Sequence, residues 1–449
     1  MLKNGLYNFI GAVIRTGLNI LTIPLLIRLI GVEDYGIWTL VSAVIGIAGL
    51  AEAGLSISTT VFLSKDLAKD DNQGISQTLT AIFATMLVLA TLAATVLWQG
   101  SPRLVSLFGK LESGQYLDVV QGIQVGSLVV WTQLLQRVFI GVEQAYQRYA
   151  LINIVNTLQV VLTSLGMLLV AWSGGRITEM VQALVAANLL TLSVHAWVVW
   201  LLIRSVKPSV IWNYSKSLTI ARYSLMTWFT SLGTVLFGQF DRLVVGAFLG
   251  AEQLGVYAAI TNITKQINVF SALPVQPLLP TLSRGISQVK TNQEKLKNQV
   301  KQALQINGIV AFGLGGVLLI FVTVIMRVMI PDVTDGRYTE EFSIAVIIYT
   351  LYSTNSVGYY TLFSANAVNL CMPIVLLSGM MSLLLISLGA EYLGLTGAIL
   401  GNTGYLCSLF LTIFAMRKLN ISLKEYMNCL KLQIFFFLSV LAVITYRAF

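Results

Sequence analysis

Charge is scarce in this chain of 449 residues: Asp, Glu, Lys and Arg together make up 10% of it, against roughly a quarter in an ordinary globular protein. There are also only one histidine, three cysteines and eight prolines. The first shortage excludes a soluble fold, because 56% hydrophobic residues and a mean hydropathy of +0.80 leave too little polar surface to cover a core. Cys371, Cys407 and Cys429 sit in or beside apolar stretches at wide spacings, which fits neither a disulfide framework nor a metal site, so no metal or cofactor is expected. A Gly-rich Walker loop is missing, so the chain itself does not hydrolyse ATP. A cleavable signal is not expected either, since the apolar run beginning near Leu6 continues past Pro24 and Leu29, too long for a signal-peptide core.

What the sequence has instead is long apolar runs. Read between charged or Gly/Asn/Asp-rich breaks, they predict thirteen spans near 6–30, 36–63, 78–98, 119–142, 149–172, 179–203, 221–248, 254–282, 304–330, 342–366, 372–390, 394–416 and 430–446. At roughly 20 residues per span they take about 260 positions, leaving short loops and no room for a sizeable soluble domain. The last is the weakest, as about 15 uninterrupted apolar residues reach only about 22 Å of a roughly 30 Å hydrocarbon core. The expected class is an all-α polytopic membrane protein.

The net charge of +9 does not indicate nucleic acid once the charges are placed. Of the 28 Lys and Arg, 17 fall in segments on the N-terminal side, 8 fall opposite, and three (Arg15, Arg137 and Lys265) lie within spans. That split puts the N-terminus in the cytoplasm by the positive-inside rule. Acids gather on the other side, as in Glu33-Asp34 and the segment holding Asp332, Asp335, Glu340 and Glu341.

The segment Ile30-Gly31-Val32-Glu33-Asp34-Tyr35-Gly36-Ile37-Trp38 recurs as Leu249-Gly250-Ala251-Glu252-Gln253-Leu254-Gly255-Val256-Tyr257, both reading G-x-E-x-x-G, then a β-branched residue, then an aromatic one. The offset is 250 − 31 = 219, and Leu63-Ser64-Lys65 against Leu282-Ser283-Arg284 repeats it. Glycine permits the tight outer turn and the helix contact this motif implies; a generic interhelical turn is the plainer reading. Six spans per repeat is an even number, so the halves enter the membrane in the same direction and are related by an axis along its normal. Parallel repeats of this kind are a transporter architecture, with the substrate site between the halves. The expected organisation is an N-lobe at 1–203 (spans one to six), a basic interfacial linker at 204–220 with Pro208, Trp212 and Tyr214, a C-lobe at 221–416 (spans seven to twelve), and a loop with one extra span at 417–449.

An N-terminal span rich in Asn and Arg, the turn LIGVEDYGIW, the segment FGQFDRLVVGAFLGAEQLGVYAA and the late LGLTGAILGN together resemble the polysaccharide-flippase branch of the multidrug/oligosaccharidyl-lipid/polysaccharide exporter superfamily. The similarity covers nearly the whole chain through loose, glycine-based motifs. It implies a two-lobed alternating-access transporter of the bacterial inner membrane, carrying an undecaprenyl-pyrophosphate-linked oligosaccharide as Wzx-type O-antigen flippases do. By the same resemblance its partners are the lipid-linked oligosaccharide, membrane lipid, and a polysaccharide polymerase and chain-length regulator.

A charge at the bilayer centre costs at least about 2.5–3.5 kcal/mol on insertion scales, so each one asks for a partner, water or a function. Arg15 lies about nine residues into span one, roughly 14 Å deep, on a polar stripe with Asn8, Gly11, Asn19 and Thr22. It either lines a wet cavity or fastens two helices through a buried acid. Lys265, equally deep in span eight, shares a face with Tyr257, Thr261 and Asn268. If both faces look inward, the two cations form a positive site suited to a pyrophosphate, Arg with a planar fork and Lys with a compact charge. Flippases of pyrophosphate lipids resemble this, with basic residues on their first and eighth spans.

Glu52, the clearest mid-span acid, either partners Arg15 or binds a coupling proton or cation. Related flippases usually carry Asp just before Gly-Leu here, so Glu52 departs by one methylene and one position. Asp241 reads as an acid neutralised by Arg242 or as a coupling group, and Arg137, near the end of span four, as a snorkelling cation ahead of a functional one. His195, mid-span in span six, either makes an interhelical hydrogen bond or exchanges protons. The aromatic stripe of span ten (Tyr349, Tyr352, Tyr359, Tyr360, Phe363) stacks on sugars or simply packs, and Pro274, Pro277 and Pro280 are expected to kink or end span eight. A multidrug exporter remains the alternative within transport, and should show unpaired cavity acids. A membrane polysaccharide polymerase is the alternative outside it, but the loop at about 99–118 offers few acid/base groups, so the chain is not read as an enzyme.

Overall fold

The computed structural model describes residues 2–108, 113–204, 206–275, 293–330, 337–364 and 368–448, and the described residues are helical with short turns. The expected all-α class is observed. Helices α1 (Leu2–Ala48), α2 (Leu55–Leu67), α3 (Asn72–Ser106), α4 (Ser113–Ala145), α5 (Tyr149–Trp172), α6 (Ile177–Ile203), α7 (Tyr214–Val235), α8 (Asp241–Leu249) and α9 (Ala251–Ala272) are followed by α10 (Gln293–Ile320), α11 (Val322–Met329), α12 (Thr339–Ser353), α13 (Ser356–Ser364), α14 (Val368–Gly401), α15 (Leu409–Lys418) and α16 (Leu423–Ala448).

Eight stretches among the described residues are long and apolar enough to cross a membrane. Two of them, Ile14–Leu67 with 54 residues and Leu370–Lys418 with 49, are too long for one crossing at 1.5 Å per residue. Each is interrupted at a glycine with positive φ, Gly31 (φ 84, ψ 167) and Gly394 (φ 63, ψ −140), where the expected outer turns lie. Expected spans seven, eight and ten correspond to interrupted or more polar helices: α7 with a π turn at Leu236–Phe240 and α8, the described part of α9, and α12 with α13. The last helix is longer than its apolar run suggested. At 26 residues α16 reaches about 39 Å and packs along α10, with Phe312 and Phe437 edge to face and a Cβ on Gly308 meeting Leu430 at 2.5 Å.

The chain divides into two compact units, Met1–Gly255 and Val256–Phe449. In the first, α4 packs between α6, α3 and α2, while α5 lies along α1 and α6. In the second, α14 doubles back on itself through small residues. A Cβ on Gly389 would meet the Gly397 carbonyl at 2.1 Å, and a Cβ on Gly404 the Ser382 backbone at 2.4 Å. Small residues are what let backbones approach this closely where lipid supplies no hydrophobic drive between helices.

The two copies of the repeated motif meet each other. Gly31 and Gly250 (φ 88, ψ −178) share a conformation essentially restricted to glycine. Gly36 lies against the Ala251 carbonyl and Gly255 against that of Val32, with Gly36 and Gly255 adjacent. The second anchor, Leu282-Ser283-Arg284, lies outside the described residues, as do Pro277 and Pro280.

The segment joining α6 to α7 is pinned to the ends of α2 and α3. Ser209 N–H donates to Ser76 Oγ (3.3 Å), Ile211 N–H to Thr80 Oγ1 (3.2 Å) and Asn213 Nδ2 to Gln77 Oε1 (3.2 Å). Lys216 Nζ donates to Asp66 Oδ2 (2.8 Å) and to the Gly74 carbonyl (2.7 Å), and Thr78 also donates to Asp66. Asp66→Ala removes the charged acceptor from this latch, and hydrogen bonds to charged groups contribute about 1.5–3 kcal/mol. The variant is expected to melt earlier in detergent and to be cut faster by protease between Val206 and Asn213; unchanged cutting would show that the latch does not hold this segment.

Candidate functional site

Expected span two is broken in its middle. A 3-10 turn, Gly49–Glu52, is followed by Ala53 (φ 50) and Gly54 (φ 74) in the left-handed region before α2 begins. Carbonyls freed inside a membrane need donors from the protein. Here α7 supplies them: Trp228 Nε1 donates to the Leu50 carbonyl (2.7 Å) and Thr227 Oγ1 to that of Gly54 (3.3 Å), while the Ser58 and Ser224 hydroxyls share a hydrogen bond of 2.6 Å. A Cβ on Gly54 would lie 2.3 Å from the Ser224 carbonyl, so glycine is required by packing as well as by φ. Helix α9 ends at Ala272, and 272 − 53 = 219, so the two spans are interrupted at equivalent places in the repeat. For α9 the cause is Pro274, as the sequence indicated, whereas α2 has no proline there and the break rests on Gly54.

Glu52 stands at this break. Its Oε1 accepts from Ser56 N–H (3.2 Å) and its Oε2 pairs with Arg137 of α4. The partner is therefore Arg137 and not Arg15, which corrects one expectation for Glu52, and Arg137 does more than snorkel. Span four was predicted to end at 142, placing Arg137 by a surface; α4 runs to Ala145 and passes the 3-10 turn, where a Cβ on Gly49 would meet Arg137 Nη2 at 3.4 Å. The pair is unevenly covered, the Arg137 side chain 45% exposed and that of Glu52 14%.

Arg15 is half-buried on α1. Its Nη1 donates to Thr157 Oγ1 of α5 (3.1 Å), and a Cβ on Gly11 would meet that same Nη1 at 3.1 Å, so Gly11 leaves the room the guanidinium uses. The side chains of Asn8 and Asn19 lie outside the described residues; Thr22 is buried and bonded to the Leu18 carbonyl.

Lys265 belongs to the second unit, half-buried on α9. Of the residues expected to line a cavity beside it, Tyr257 and Thr261 are fully covered instead. Tyr257 exchanges hydrogen bonds with Asn402, whose Oδ1 also accepts from Tyr349 (3.1 Å), and Thr261 Oγ1 donates to the Tyr257 carbonyl (2.8 Å). The aromatic stripe contributes to this cover: Tyr349, which bonds to that amide, packs with Tyr352 and with Tyr405 as one ring cluster. Asn268 stays partly accessible, its Nδ2 3.4 Å from Ser356 Oγ.

His195 makes the interhelical contact that was one of its two readings. Its Nδ1 lies 2.8 Å from Glu143 Oε1 of α4, and both side chains are completely buried. Asp241 is also buried, at the first position of α8, where its Oδ1 accepts from Arg242 N–H (2.9 Å). Glu143 was missed because it falls one residue beyond predicted span four and reads as loop. Its spacing of seven from Gln136 was the available signal, since Gln136 bonds to Asn188 and Thr191 on the same face of α6. No cluster of three or more His, Cys, Asp or Glu suited to a metal occurs among the described residues.

These features define a helical transporter: a polytopic bundle with a mid-span break, charges inside the spans and a motif repeated in parallel. The chain belongs to the polysaccharide biosynthesis protein family, whose profile matches residues 1–286. It is 20% identical over 301 residues to a Shigella flexneri protein named as an O-antigen transporter, covering 66% of this chain and 70% of that one. Its fold is shared with two solved structures. It matches an inward-facing multidrug resistance MATE family transporter of the MOP superfamily with a TM-score of 0.69 (16% identity, 91% of this chain and 98% of that one). It matches the lipid II flippase MurJ in an inward closed conformation with a TM-score of 0.68 (11% identity, 99% and 98%).

Proposed function

We propose that this protein is an alternating-access flippase that moves an undecaprenyl-pyrophosphate-linked oligosaccharide from the cytoplasmic to the periplasmic leaflet of the bacterial inner membrane, its N-terminus in the cytoplasm. The observation that carries the reading is Arg15. A guanidinium deep in the first span bonds to a neutral hydroxyl, and among the described residues no carboxylate pairs with it. Glu52, Asp66 and Glu143 of the same unit each face a basic group. Asp241 adjoins Arg242, so Arg15 is the deep cation that faces a hydroxyl in place of an acid, which suits a pyrophosphate and opposes an organic cation. Lys265, half-buried in the other repeat, is proposed as a further pyrophosphate-binding cation, the parallel lobes being 1–203 and 221–416. The family and the name of the Shigella relative support polysaccharide export, and the MurJ-like fold supports a lipid substrate. The reading involves no bond-making by the chain itself; a polymerase and a chain-length regulator are its proposed partners.

Purified protein in proteoliposomes is expected to move a fluorescent lipid-linked pyrophosphate oligosaccharide between leaflets and to ignore a cationic dye. Tight dye binding with no lipid movement would sink this reading in favour of a multidrug exporter.

A further inference from the structure

Between α4 and α6 lies an ionisable pair that the proposed substrate site does not use. Glu143 and His195 are both 0% exposed and 2.8 Å apart through Oε1 and Nδ1. Each has a second polar atom, Glu143 Oε2 and His195 Nε2, that is buried without a partner, and so is the hydroxyl of Tyr146, one turn beyond Glu143 on the same face of α4. Structural pairs are normally satisfied on both sides, because a buried polar atom left without a bond keeps its full desolvation cost. Apolar packing seals the place: Leu63, Leu79, Val142 and Val199 form a buried cluster against Tyr146.

The charge state follows from that burial. With no proton on the pair beyond that of neutral imidazole, one net negative charge is enclosed; with two more, one net positive charge. With one more the pair is neutral overall, as imidazolium with carboxylate or imidazole with carboxylic acid, and complete burial favours net neutrality. The other charged groups on the helices packed against α4 and α6 do not change this count. Near the same end, Asp66 is held by Lys216, Glu52 by Arg137, Arg15 by Thr157, and Lys65 lies over the Phe62 ring. Arg28, Glu33 and Asp34 flank the Gly31 turn, Arg103, Asp118 and Glu179 are near the opposite ends of their helices, Arg148 and Arg204 are exposed at the helix caps, and on α5 the titratable residue is Tyr149. Along the same seam Gln136, Asn188, Thr191 and Gln159 continue as a buried polar ladder linking α4, α6 and α5.

We propose that Glu143 and His195 form a one-proton store, holding a proton between Nδ1 and Oε1 while the α4–α6 seam is closed and giving it to water when the seam opens, so that the proton is the coupling ion. The balance is simple: the imidazolium–carboxylate pair becomes imidazole and carboxylate, and water takes the proton. The coupling part rests on the transporter reading; the proton store itself does not.

The chain has a single histidine, so ¹⁵N NMR of histidine-labelled protein in nanodiscs reads this site alone. His195 and Glu143 are expected to take up and release one proton as a single unit, and Glu143→Gln, which keeps a hydrogen-bonding partner but not the charge, to change the protonation profile of His195. An imidazole that stays neutral in the wild type from about pH 8 down to pH 5, or titrates identically in both proteins, overturns the store. In proteoliposomes the wild-type flipping rate should respond to an imposed pH gradient, and Glu143→Gln and His195→Gln should be indifferent to it while melting close to the wild type. A gradient response unchanged in Glu143→Gln would make the pair a helix fastener and overturn the coupling. Absence of lipid movement in the wild type would instead fail the flippase reading, with the NMR titration still deciding the store.

Discussion

Gly36→Ala is expected to destabilise the protein at or beyond the upper end of the overpacking range, about 3 kcal/mol, seen as a large drop in Tm in detergent, and Gly36→Val to abolish accumulation in the membrane. The added Cβ would fall 1.8 Å from the Ala251 carbonyl oxygen, a backbone atom that no side-chain rotation can move. Gly255→Ala should behave alike, its Cβ 2.1 Å from the Val32 carbonyl. Since the two glycines touch, their effects should not add: once the first methyl has forced the backbones apart, the second meets less resistance, and the double variant should cost clearly less than the sum. Gly31→Ala acts through φ, with nothing within 4 Å of the added Cβ, and should cost about 1–3 kcal/mol, and the φ of Gly250 sets a cost of the same size for Gly250→Ala. Gly100 and Gly313 are the controls, with nothing within 4 Å of an added Cβ inside the C-terminal thirds of α3 and α10, so alanine there should be neutral or stabilise by up to about 1 kcal/mol. Equal melting of the Gly36 variant and these controls would remove the packing argument.

That pair of glycines also marks where the sequence was most informative. A motif whose two copies read G-x-E-x-x-G is legible because the conformation it needs is nearly restricted to glycine, and the structure uses both copies for the same turn and the same approach. The helices follow from apolar runs because the bilayer demands them, but many of their ends do not, as for Asn72–Ser106 against an expected 78–98 and Gln293 against 304, where polar residues extend the helix beyond the apolar run. Less legible was the break at Ala53 and Gly54, because its stabilisation comes from Trp228 and Thr227, some 170 positions away in the chain (228 − 50 = 178 for the tryptophan bond). Partner choice failed likewise. Nothing local to Glu52 distinguishes Arg15 from Arg137; which cation it meets depends on how α4 passes the 3-10 turn. Tyr257 and Thr261 share the face of Lys265 by helical spacing, yet they are covered, because periodicity gives a face but not what packs on it.

Arg15→Ala and Lys265→Ala are each expected to cut surface polysaccharide and lipid flipping by at least about tenfold, and up to about a hundredfold, without impairing insertion or melting. The estimate comes from hydrogen bonds to a charged group, about 1.5–3 kcal/mol each, where 1.4 kcal/mol is roughly tenfold. The folded protein should tolerate the loss of Arg15, because burying a guanidinium beside a neutral hydroxyl gains little and leaves a desolvation cost that the variant relieves. Arg15→Lys should recover part of the activity, keeping the charge but losing the fork that can meet two phosphate oxygens. Thr157→Val separates orientation from charge: it removes the bond that holds Nη1 but not the guanidinium, so it should weaken flipping less than Arg15→Ala. Gly11→Leu should resemble Arg15→Ala, since a side chain there occupies the space of the Arg15 head group. If Arg15→Ala and Lys265→Ala both support normal polysaccharide, the cationic site is wrong. If only one does, that cation is not needed to hold the pyrophosphate.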